Sequence, residues 1–178
     1  MDYTPDKTAR LPGIDFTHGI IKRIHGGHPT TTGQAIVRRL SLHGRVEIDC
    51  FDHEVLLPRH APDVLRKLHQ LVLAYEEQLL PEQQDLLGIA TLRFELGECF
   101  HHQWELARVW VRESLNARDL AAVMVHHVPA LAGRPNKPHI HVLYPVRALH
   151  GTFGAFVKIT GAALAAEWRA HLAAEVVA

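Results

Sequence analysis

Hydrophobic and polar positions along the chain fall into two rhythms, one of period two and one of period three to four. Together they predict the order β-α-β-β-α-β-α-β-β-α. Phe16 to Ile24 reads as a first strand, broken by Gly26-Gly27-His28-Pro29. One of Thr30, Thr31 and Thr32 can cap a helix running to Leu42, with Gly44 ending it. Arg45 to Phe51 alternates, with Val46, Ile48 and Cys50 on one face. Asp52-His53 suits a turn and Glu54 to Leu57 a return strand, so a β-hairpin is expected, stopped by Pro58. Asp63 to Leu80 carries Val64, Leu68, Leu71, Tyr75 and Leu79 as one helical stripe, and Pro81 terminates it.

Glu82 to Gly88 reads as a short helix or turn, and Thr91 to Leu96 as a strand. His101 to Asp119 is a second long helix with Trp104, Val111 and Leu115 inward. Ala121 to Val128 and His139 to Val146 are strands separated by a loop rich in Pro, Gly, Arg and Lys, so they are expected as neighbours in a wide hairpin. Gly151 to Ile159 fits no single element. Gly161 to Val177 is an alanine-rich helix. The expected class is α+β: an antiparallel or mixed central sheet covered by helices on at least one face. Residues 1–178 are expected to form a single domain, with 1–15 expected as a flexible lead-in.

Composition narrows the chemistry. Apolar residues make up 47% of 178, enough for a core, and 19 basic side chains balance 19 acidic ones. A neutral chain can grip nucleic acid only through local basic clusters. Two cysteines, Cys50 and Cys99, are far apart and read as reduced thiols. No stretch approaches the roughly 18 apolar residues of a membrane span, so no membrane partner and a cytoplasmic location are expected.

Histidine is the outlier, at 15 residues. In Pro138-His139-Ile140-His141-Val142 the strand period puts both imidazoles on one face. Upstream, His126 and His127 end the preceding strand, one on each of its faces, and parity alone does not choose between them. Either would complete three nitrogen ligands, a set with open positions that suits a catalytic metal better than a closed structural one. Glu95, on the strand expected over Thr91 to Leu96, could orient a ligand histidine or take a proton, which makes it the candidate catalytic residue. Glu98 is a further carboxylate just past that strand. Arg134 and Lys137, in the loop before His139, could hold phosphates beside a metal; Lys22, Arg23, Arg38 and Arg39 offer an alternative track. The tyrosines are Tyr3, in the lead-in, Tyr75, in a helical apolar stripe, and Tyr144, on the Ile140/Val142 side of its strand.

The His-hydrophobic-His strand resembles the signature of the HUH endonucleases, and Ala121 to Gly154 is similar to the MobA/MobL mobilisation relaxases. The matching positions are His127, which ends a strand, then Asn136, Pro138, His139 and His141, and Arg147 after the strand. Arg45 to Pro62 also resembles that family's hairpin and its proline-containing lead into a helix. The resemblance favours His127 over His126. It implies a divalent metal ion held by His127, His139 and His141, single-stranded plasmid DNA as partner with Arg134, Lys137 and Arg147 on its phosphates, other mobilisation proteins as possible company, and nicking at a transfer origin by a tyrosine that forms a 5′-phosphotyrosyl link. The chain departs from the family in one respect. The helix over Thr30 to Leu42, where the family carries its tyrosine, has none, and neither has the C-terminal helix. The alternatives are therefore a non-cutting DNA-binding accessory protein and a metal-dependent nucleotide phosphoesterase.

Overall fold

The computed structural model describes residues 15–25, 27–42, 45–46, 50–95 and 99–175. Its centre is a five-stranded antiparallel sheet. The strands are β1 (Phe16–Lys22), β6 (Cys50–Leu56), β7 (Asp85–Arg93), β8 (Ala122–His127) and β9 (His139–Pro145), in the order β1-β7-β9-β8-β6. Three short pairs stand outside it: β2 (Ile24–His25) with β3 (His28–Pro29), β4 (Ser41–Leu42) with β5 (Arg45–Val46), and β10 (Arg147–Leu149) with β11 (Phe153–Phe156). The helices are α1 (Thr32–Leu40), α2 (Leu68–Glu77), α3 (Phe100–Ser114) and α4 (Gly161–Glu175). The α+β class and the β8–β9 neighbourhood are as the sequence predicts.

Helices cover both faces. On one, Trp104, Trp110 and Val111 of α3 and Leu164 and Trp168 of α4 pack on Leu92, Met124, Ile140, Val142 and Tyr144. On the other, Ala35 and Ile36 of α1 and Leu71 and Tyr75 of α2 pack on Leu87, Ile89, Val123, Val125 and Leu143. Burying each large apolar side chain is worth about 1.5–3 kcal/mol. The histidine face of β9 is therefore the α1/α2 face, since Leu143 shares the parity of His139 and His141.

Four element expectations are corrected. Cys50–Leu56 is one strand straight through Asp52-His53, with a bulge between Cys50 and Asp52 and no turn. β6 lies at the sheet edge, where exposed polar residues need no loop to carry them. Its partner in the expected hairpin, Arg45–Val46, pairs with Ser41–Leu42 instead, so α1 stops at Leu40; Gly44 and residues 47–49 lie outside the described residues. The helix expected over Asp63 to Leu80 is a 3-10 turn (Asp63–Arg66), an extended Lys67 (φ −79, ψ 117) and then α2; Leu65 is buried where Val64 was expected. Asp85 to Gly88 is strand, not turn. β7 runs Leu86, Leu87, Ile89, Ala90 and Leu92 with both faces buried, which erases the alternation that marks a half-exposed strand.

Candidate functional site

Register settles which upstream histidine joins the pair on β9. His127 lies directly opposite His139, and Val125 opposite His141; on the far side of β9, Arg93 faces His139 and Thr91 faces His141. Antiparallel partners share a face. His127, His139, His141, Arg93 and Thr91 thus meet on the α1/α2 side, at the end of the sheet where β8 leaves and β9 begins. The three imidazole centroids are 5.2 Å (His127–His139), 5.4 Å (His127–His141) and 4.9 Å (His139–His141) apart. His126 points the other way. It is fully buried, stacked on Trp104 at 5.8 Å, with Nε2 3.3 Å from Gln103 Oε1, and burial lowers its pKa to about 4.

The outer edges of two rings are held. His139 Nδ1 donates to the Lys137 carbonyl at 3.0 Å, which makes Nε2 the basic nitrogen of that ring. His141 Nδ1 and Thr91 Oγ1 are hydrogen bonded at 2.9 Å. Burial, helped by His139 and then Arg39, holds the His141 pKa well below the usual imidazole range, so this ring stays neutral. Neutral imidazoles oriented through their second nitrogen are the form that ligates metals.

The chemistry of this donor set fits a divalent ion. Rings sharing one ion through nitrogens at ~2.0–2.1 Å have centroids roughly 5 Å apart, which is the spacing observed. Among the described residues, however, no group of three or more His, Cys, Asp or Glu side chains is placed to hold a metal ion as it stands. The cluster is convergent, and its rings must turn about their side-chain torsions to aim at one point.

The histidines floor a cleft of about 520 Å³ lined by Arg38, Arg39, Arg93, Arg134, Asn136 and Lys137 together with Pro129. The cations arrive by three routes. Arg38 and Arg39 occupy the last turn of α1, where basic side chains also suit the negative end of the helix. The loop after β8 folds as a 3-10 turn, Pro129–Ala132, and Gly133 (φ 69) lets the chain swing back across the cleft with Arg134 and Lys137. Arg93, which carries no motif in the sequence, reaches the cleft by register. Its Nη1 is 3.4 Å from Thr17 Oγ1 and 3.5 Å from Asp15 Oδ1.

Other expected site residues stand elsewhere. β7 ends at Arg93, so Glu95 is not on a strand; it is exposed, does not line the cleft, and accepts Lys137 Nζ at 2.6 Å. Its part is to hold Lys137 at the rim. Arg147 is withdrawn from the DNA track: it is only 6% exposed and donates to the Gly154, Phe153 and Gln78 carbonyls, knitting the β10–β11 hairpin to the end of α2. Lys22 pairs with Asp85, and Arg23 donates to the Leu80 carbonyl, both at the opposite end of β1 and β7 from the cleft. The Tyr144 hydroxyl is buried against His18 Nε2 at 2.7 Å, and the Tyr75 hydroxyl donates to the Leu86 carbonyl at 2.7 Å. Neither faces the histidines. Tyr3 and Glu98 lie outside the described residues.

No family profile matches the chain, and no curated protein does. Among solved structures, the chain is similar to a protein determined in work on the molecular basis of vancomycin resistance transfer in Staphylococcus aureus. The TM-score is 0.70 at 16% identity, over 91% of this chain and 93% of that one. At that identity the likeness establishes a shared fold. Among the described residues no helix is long and apolar enough to cross a membrane.

Proposed function

We propose that this protein is a relaxase-like domain of the MobA/MobL kind that binds single-stranded DNA at a three-histidine divalent-metal site during plasmid mobilisation. One observation carries the proposal: His127, His139 and His141 converge at the floor of a cleft that also gathers four arginines and a lysine. Imidazoles select a divalent ion, and guanidinium groups select phosphates. A metal bound there would supply Lewis-acid polarisation of a phosphodiester oxygen. The chain's own part is to hold the backbone phosphates on Arg38, Arg39, Arg93, Arg134 and Lys137 and to keep His139 and His141 oriented through Lys137 and Thr91. The likeness to a protein from resistance-transfer work agrees with this reading. Other mobilisation proteins would then be its natural partners.

A second reading, a non-cutting accessory protein with the same cleft, is favoured by the tyrosines. Both described hydroxyls are engaged away from the histidines, and α1 has no tyrosine. Two measurements test the proposal. Calorimetric titration of Mn²⁺, Zn²⁺ and Mg²⁺ should show one site that is lost when His139 and His141 are both changed to Ala. Anisotropy of a labelled single-stranded oligonucleotide should show binding that the metal strengthens. A protein that binds neither overturns it. Incubation with strand and metal then separates the readings: cleavage supports the nicking enzyme, and a bound but intact strand supports the accessory protein.

A further inference from the structure

Phe51 is half exposed, on the edge strand β6, with its ring on the His126 side of the sheet. It follows Cys50, whose register partner is the cleft histidine His127. An isolated surface phenylalanine would mean little. This one is part of a built cluster. Its ring meets Phe100, the first residue of α3, at 5.5 Å and 64°, and His126 at 5.6 Å and 74°. Phe100 also meets His126, at 6.2 Å, and His126 is itself stacked on Trp104 at 9° and hydrogen bonded to Gln103. The exposed ring therefore rests on Phe100, which is partly buried, and on His126, which with Trp104 behind it is buried. Its orientation is set before any ligand arrives.

The position of the cluster points to its occupant. His126 and His127 are consecutive, and they face opposite sides of the sheet at the same strand end. His127 faces the cationic cleft, and His126 backs the Phe51–Phe100 shelf. Only β6 separates the two, and it is the last strand of the sheet. A flexible phosphodiester strand whose phosphates lie among Arg38, Arg39, Arg93, Arg134 and Lys137 can round that edge and bring a base onto the ring. A duplex is too stiff to do so. An aromatic shelf continuous with a cationic groove is the general arrangement by which proteins hold single strands without reading their sequence.

We infer that Phe51, supported by Phe100, is a base-stacking platform for single-stranded nucleic acid leaving the histidine cleft over the β6 edge. The inference rests on the single-strand reading above. It is tested with the full chain and a labelled oligothymidylate of about ten nucleotides. Phe51→Ala should weaken binding about tenfold, as loss of one stacking aromatic does. Phe51→Leu, which keeps apolar bulk and guards against a folding artefact, should weaken it comparably. Phe51→Trp should retain it, and the indole fluorescence should be quenched on binding. The salt slope should not change, because no phosphate contact is removed. An abasic strand of the same length should bind wild type and variants alike. Tight binding by wild type that is unaltered in Phe51→Ala and Phe51→Leu overturns the platform and leaves the cleft reading intact. No binding by wild type removes both. A change in oligomeric state on light scattering, with strand affinity unchanged, would make the shelf a contact between copies of the chain and also overturns the inference.

Discussion

The hydroxyl of Thr91, on the strand next to the His-Ile-His strand, is hydrogen bonded to His141 Nδ1, and Thr91 does not line the cleft. It acts through the ring it orients. Replacing Thr91 by Val keeps the shape and removes that hydrogen bond. Metal affinity should then fall about 10- to 100-fold, the usual effect of losing an outer partner of a ligand histidine, and stability by about 1–3 kcal/mol, because His141 Nδ1 loses a buried partner; calorimetric titration beside thermal melting reads the two separately. Tyr75 offers a residue-scale pH prediction. Burial, outweighing the hydrogen bond from Gln83, pushes its pKa up to about 12. The folded state therefore keeps the phenol proton where the unfolded chain, with a pKa near 10, has begun to lose it. Stability from this group is complete below about pH 10 and is lost as the pH rises towards about 12. Tyr75→Phe should flatten that alkaline loss in denaturant titrations at pH 9 to 11. At neutral pH it should cost about 1–3 kcal/mol, because the Leu86 carbonyl and Gln83 amide lose a buried partner.

At the scale of elements, α1 is short and carries its cations at its far end, so its start matters to the cleft. Thr31 caps the helix in a reciprocal box: Thr31 Oγ1 accepts from Gln34 N at 3.2 Å, and Gln34 Oε1 accepts from Thr31 N at 3.1 Å. Thr31→Ala should reduce stability by about 1 kcal/mol and weaken strand binding, because Arg38 and Arg39 lose their anchorage; chemical denaturation and anisotropy read the two effects separately. The β7–β9 pairing has its own tight point. Gly88 lies opposite Tyr144, and a Cβ at that position would stand 2.1 Å from Tyr144 Cζ. Gly88→Ala should therefore destabilise by at least about 1–3 kcal/mol. Combined with Tyr144→Val it should cost clearly less than the two single changes summed, which a double-mutant cycle by denaturant melting would register.

Over the whole molecule, a chain of zero formal net charge concentrates cations in one place. Five converge on the cleft, with Asp15 and Glu95 at its rim as counter-charges for Arg93 and Lys137. Binding of a single strand should therefore depend steeply on salt in spite of the neutral composition. Neutralising Arg134 and Lys137 together should lower the slope of log affinity against log salt by about 1.4, close to 0.7 for each lost phosphate contact on a single strand. Changing Lys22 and Arg23, at the far end of the sheet, should leave the slope alone. If the outcomes reverse, the strand runs along the other end of β1.

Much of the site was legible before any fold was known. A strand alternates its side chains, so His-Ile-His had to present two imidazoles on one face. Apolar runs on either side of a basic loop made the two histidine strands neighbours. The element order was enough for the α+β class. Local pattern failed where burial was complete or an edge was open. β7 is covered on both faces, so its first half carries no alternation and imitates a turn, while its end at Arg93 leaves Glu95 off the strand; Thr91 and Arg93 lie on the expected strand, but only pairing register brings them to the histidines. β6 is an edge, so its polar residues imitated a turn. Parity within one strand cannot choose between His126 and His127; the family resemblance favours His127, and pairing register sets that residue opposite His139. Arg147 shows the same limit. The family resemblance marks it as a phosphate ligand, yet the hairpin after β9 turns it into three backbone carbonyls. Chain order determined which chemistry was present, and long-range packing decided which of those side chains would meet, because residues as distant as Arg38, Arg93 and Arg134 become neighbours only when the sheet closes.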